Sequence, residues 1–187
     1  MEQRRPLITL IVLSLFEFFG LMLWLQLAIT GNHLLGILIL IAGLFLERFT
    51  VYVAMIRPIA QDQRIALYAG RFLLQAVRET LIWVVWLWIV GDGGIRYIVA
   101  LAALFVAMHL EHCIDVAEHN GVAWSSYLRH PKMLLLTTIE AVGATLWLYL
   151  VLEQNGNFAV GVLLVTFLWE HFYQGQMVEI KPPAQAA

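Results

Sequence analysis

Six glutamates sit inside hydrophobic stretches of this 187-residue chain, and they sit there periodically. Glu17, Glu79 and Glu140 are each followed seven residues later by a tryptophan, Trp24, Trp86 and Trp147. Glu47, Glu111 and Glu170 are each followed at once by a basic residue, Arg48, His112 and His171. The first three carboxylates are 62 and 61 residues apart and the second three 64 and 59. A period of about 60 residues is a fold-level signal that precedes any local propensity. An ionisable residue in an apolar span is costly enough to mark a functional site.

The chemistry open to such a set follows from its charge. The six carboxylates are accompanied by two arginines, Arg48 and Arg78, which leaves a net −4 if the histidines are neutral. Buried without compensation, that charge is prohibitive. One or two divalent cations would supply it, and carboxylates with a few imidazoles suit iron, manganese or zinc. Protonation would supply it too, because desolvation and like-charge crowding favour neutral carboxyls. The ligand set Glu17, Glu47, Glu79, Glu111, His112, Glu140, Glu170 and His171 is similar to that of dinuclear carboxylate bundles. Its histidines, however, follow glutamate directly rather than in a Glu-x-x-His spacing. Arg48 and Arg78 are read as charges that pair with these carboxylates from outside the ligand set.

A further polar face lies on the segment from His109 to His119. Glu111, His112, Asp115, Glu118 and His119 fall within an arc of about 120°, with His109 about 60° beyond it. This face is expected to line a wet cavity or relay protons, although Glu118 and His119 also fit a solvated helix end. The tryptophans, nearly two turns above their glutamates, are expected on the same helix face, closing one side of the carboxylate layer as a lid. The alternative is an interfacial belt facing lipid.

The elements that must hold these residues are membrane helices. The chain is 61% hydrophobic and 13% charged, with mean hydropathy +0.81. Apolar runs near 7–30, 33–56, 72–90, 95–117, 133–152 and 157–175 each reach the roughly 17–25 residues that span a bilayer. This predicts an all-α integral membrane protein of six transmembrane helices over 1–187. They form three repeated hairpins, 1–61, 62–122 and 123–180, with pseudo-threefold symmetry about the membrane normal. A rise of about 1.5 Å per residue from the flanking basic residues puts the carboxylates roughly 12–18 Å inside one boundary.

The Lys and Arg count by loop places both termini in the cytoplasm. Arg4, Arg5, Arg57, Arg64, Arg71, Arg129, Lys132 and Lys181 fall on that side, and only Arg96 on the other. The first segment has no clear signal cleavage site and reads as a retained helix. The single cysteine, Cys113, excludes an intrachain disulfide and a zinc–thiolate cluster. A net charge of −2 gives no reason to expect nucleic acid.

The leading functional expectation is a membrane metalloenzyme acting on a lipid, quinone or small diffusible substrate. A proton-coupled or metal-cation transporter or channel is the second. A haem- or pigment-binding subunit of a larger membrane complex, using His109, His112 and His171, is the third. The composition leaves an oligomer or a larger complex open.

Overall fold

The computed structural model describes residues 4–51, 53, 65–91, 95–120, 122–153 and 155–177, with side chains over 11–50, 53, 69–91, 95–118, 122–153 and 155–172. Among these residues the chain is all-helical: α1 Arg4–Ile29, α2 His33–Val51, α3 Ile65–Val90, α4 Arg96–Asn120, α5 Pro131–Leu152 and α6 Gly156–Met177. A 3₁₀ turn, Trp124–Tyr127, stands between α4 and α5. The first five helices contain apolar stretches of 18 to 23 residues, long enough to cross a membrane; α6 contributes a shorter one, Gly156–Phe172. The architecture is compatible with a membrane helical bundle.

Two helices run past their apolar spans. α3 begins at Ile65, seven residues before the expected run, and α4 continues to Asn120. Hydropathy marks where a helix enters hydrocarbon, whereas the hydrogen-bond ladder continues into the polar region until a breaker stops it. α1 stops at such a breaker. Gly31, at φ 82°, carries a Schellman closure in which Asn32 N–H donates to Leu27 O at 2.8 Å and Gly31 N–H to Ala28 O at 3.2 Å. α5 starts with Pro131 in the first turn, where its missing N–H costs no ladder bond. The expected hairpin boundary at residues 61 and 62 lies outside the described residues, as do Arg57, Arg64 and Lys181.

The chain divides into two compact units, Met1–Val84 and Val85–Ala187. In the first, α1 and α2 pack as an antiparallel hairpin; in the second, α5 packs on both α4 and α6. Both hairpins cross at corresponding positions. A Cβ on Gly43 would lie 3.4 Å from the Cα of Gly20, and a Cβ on Gly143 would overlap the side chain of Thr166. Gly20 and Gly143 each stand three residues after the first glutamate of their hairpin, and Gly43 and Thr166 four before the second. Small residues let the backbones approach there, the usual device where hydrocarbon surrounds both helices.

The buried stripes repeat as well. On α1, α3 and α5 the buried positions include Ser14, Glu17, Leu21 and Trp24; Ala76, Glu79, Trp83 and Trp86; and Thr137, Glu140, Ala144 and Trp147. On α2, α4 and α6 they include Leu40, Leu44 and Glu47; Leu104, Met108 and Glu111; and Leu163, Phe167 and Glu170. These spacings of three, four and seven place each set on a single helix face. Each glutamate therefore belongs to the inward stripe of its own helix.

Candidate functional site

All six glutamates are buried, none more than 6% exposed. A carboxylate on an inward helical stripe must find donors within the protein, because neither water nor lipid can supply them.

In the first unit Arg48 and Glu79 meet that demand together. Arg48 follows Glu47 near the end of α2, and its Nη2 forms a short ion pair with Glu79 Oε2 on α3. The other carboxylate oxygen, Oε1, accepts a hydrogen bond from Trp83 Nε1–H at 3.4 Å, one turn further along α3. Glu79 is thereby held from two sides by a cation and an indole. Glu17 and Glu47 are buried in the same unit.

In the second unit an imidazole takes the place of the guanidinium. His112 Nε2 lies 2.7 Å from Glu140 Oε2, joining α4 to α5, with the two side chains 12% and 1% exposed. Glu170 and Asp115 lie within electrostatic reach of the same ring. Arg48 and His112 occupy one repeat position and Glu79 and Glu140 another. The two pairs thus join corresponding residues: the basic group after a second-helix glutamate meets the first-helix glutamate of the following hairpin. The guanidinium is permanently charged, whereas an imidazole exchanges protons near neutrality.

His171 is buried, and its Nδ1–H donates to Phe167 O at 2.8 Å, one turn back on α6. That bond fixes the ring and leaves Nε2 as the nitrogen directed elsewhere. His109 has a different occupation. Its Nε2–H donates to Leu128 O at 2.9 Å, and its Nδ1 lies 3.2 Å from Thr137 Oγ1 on α5. The ring brackets α4, the connecting loop and α5, stacked 5.8 Å from Phe105. With both nitrogens engaged, His109 is not placed as an axial ligand.

The rest of the polar face divides by depth. Asp115 is half-buried and Glu118 exposed, as a solvated helix end would be, and the side chain of His119 lies outside the described residues. Arg78 is half-buried. Trp24, Trp86 and Trp147 are all buried, whereas Trp88, two residues from Trp86, is 80% exposed. Among the described residues no three His, Cys, Asp or Glu side chains come together as a metal ligand set.

Outside the spans, His130 lies beside the first turn of α5 with its ring 6.4 Å from that of Tyr127. Burial, reinforced by the charge of Lys132, holds its pKa below the ordinary histidine value.

Sequence reasoning missed Trp83, Thr137 and the glycine crossings. The crossings did leave a signal, Glu-x-x-Gly at Glu17–Gly20 and Glu140–Gly143. Trp83 left none, since Leu21 and Ala144 stand at its equivalent positions. No protein-family model, curated protein or solved structure matches the chain.

Proposed function

We propose that this membrane-embedded helical protein takes up and releases protons at the buried His112–Glu140 pair, coupling proton movement to a small or membrane-soluble solute. The observation that carries this reading is the 2.7 Å contact between a titratable imidazole and a carboxylate that is 1% exposed. Two proton-exchanging groups at hydrogen-bond distance, shielded from bulk water, are the minimal unit for holding a proton at membrane depth. Arg48–Glu79 is the reference within the same chain: the corresponding pair with a base that never gives up its proton. The repeated stripes also support the pseudo-threefold plan of three hairpins, and the loop charges support cytoplasmic termini. Each of the three buried tryptophans shares the inward stripe of its own helix with its glutamate, which supports the lid reading.

A metal-centred account needs three or more donors in one place, which the pairwise contacts do not favour. The test keeps that account in view. Infrared titration of the protein in bilayers should show coupled imidazole and carboxyl changes. These should vanish in His112→Gln and in His112→Arg, and persist in Arg48→Lys. A spectrum without pH dependence in the unaltered protein, or iron, manganese or zinc at stoichiometric level by elemental analysis, would overturn the proposal.

A further inference from the structure

The outer face of α5 and α6 carries a groove of about 650 Å³ lined by Thr138, Val142 and Leu146 on one wall and Phe158, Gly161 and Val165 on the other. We propose that this groove holds a single acyl chain of a bilayer lipid, lying along the membrane normal with its headgroup at the Asn157 end.

Three observations select that occupant. The first is length. From Thr138 to Leu146 and from Asn157 to Thr166 the walls run roughly 12–14 Å at helical rise, close to the ~15 Å of one leaflet's hydrocarbon. A transmembrane helix would need a seat across both leaflets.

The second is chemistry. Thr138 Oγ1–H donates to Leu134 O at 2.7 Å and Thr166 Oγ1–H to Val162 O at 2.8 Å. Both hydroxyl protons are thus spent inside their own helices. The inner end of the groove therefore offers no hydroxyl donor and suits the methyl terminus of a chain. Asn157, at the start of α6 and exposed, puts an amide at the other end, where a headgroup would lie.

The third is shape. The helices touch at Gly143 and Thr166, while a Cβ on Gly161 would meet nothing within 4 Å. The groove therefore has a closed floor and an open mouth. Water is not the competitor in a bilayer, so the driving force is contact: a groove left unfilled forfeits the dispersion partners of its walls. Its volume lies within the 300–1,000 Å³ usual for small-ligand sites.

The experiment is independent of proton exchange. The protein is exchanged into detergent with defined dioleoyl phosphatidylcholine and its lipid adducts are counted by native mass spectrometry. One retained lipid is expected. Gly161→Leu, which fills the groove, should lower that adduct by about tenfold or more. Gly70→Leu should leave it unchanged, since Gly70 also has open space around an added Cβ. No retained lipid in the unaltered protein, or equal retention in Gly161→Leu, overturns the proposal. So does disulfide-linked dimer formation by Gly161→Cys in the bilayer, which would seat a second copy of the chain in the groove.

Discussion

Replacing His112 and Glu140 by leucine, singly and together, tests whether the pair is a buried charge design. His112 is 12% and Glu140 1% exposed, and their 2.7 Å separation leaves no room for a bridging water. Removing one member of a buried pair costs roughly 3–5 kcal/mol, because the survivor keeps its desolvation penalty and loses its partner. His112→Leu is therefore expected to lose roughly 3–5 kcal/mol. In the double variant neither charge remains, and an apolar pair of similar volume is often neutral or stabilising. The double variant should thus cost less than either single, giving a coupling energy above about 3 kcal/mol, beyond the usual range for residues in contact. Equilibrium unfolding in bicelles, followed by steric trapping, reads all four corners of the cycle. Single variants costing under about 1 kcal/mol, or a double variant that loses the sum of the two, would refute the reasoning.

Three further outcomes are expected. At the helix crossing, Gly143→Ala should destabilise by roughly 1–3 kcal/mol through its overlap with Thr166, whereas Gly161→Ala should gain up to about 1 kcal/mol of helix propensity. Thermal unfolding in detergent separates the two. The lowered pKa of His130 means that the folded state binds its proton less readily than the unfolded chain. The stability this contributes is present above the unfolded value near 6.5 and is lost as pH falls through the folded value. Hydrogen-exchange protection factors at the first turn of α5, corrected for the intrinsic rate, should therefore fall below about pH 6.5, and His130→Gln should remove that dependence. In single-tryptophan variants, lipids with brominated chains should quench Trp88 strongly and leave Trp24, Trp86 and Trp147 nearly unquenched, in line with their exposure.

What the sequence made legible was the face of each helix. The Glu-x6-Trp spacing placed both residues on one stripe, and the structure buries both in all three instances. A single helix is enough to define such a stripe, since periodicity near 3.6 is local. What it could not make legible was the partner across the stripe. Arg48 sits beside Glu47 in sequence, yet it forms an ion pair with Glu79, 31 residues away. Adjacent residues on a helix point about 100° apart and cannot close a contact that a neighbouring helix closes easily. The same limit hid the bracket at His109, whose partners Thr137 and Leu128 come from α5 and the loop before it. The ligand-set reading rested on the same kind of inference: it counted donors by depth, and among the described residues no metal-binding group of three is seen.

The two resolved pairs carry a consequence for how a repeat can divide labour. Arg48–Glu79 and His112–Glu140 join residues at corresponding positions of the sequence repeat. Only the base differs. A guanidinium beside a carboxylate in hydrocarbon is a fixed neutral unit, with planar donors that keep their protons at any physiological pH. An imidazole in that position can be an ion-pair partner when protonated and a hydrogen-bond partner when neutral, so Glu140 keeps a contact through both states. The first pair can thus anchor helices without changing charge, while the second can change charge without losing its contact. A chain with arginine in both positions would be a locked bundle. A chain with histidine in both would have no permanently charged pair to hold its packing through a protonation cycle. On the proposed reading, arginine at one position of the sequence repeat and histidine at the next would give the protein one anchor and one exchangeable site.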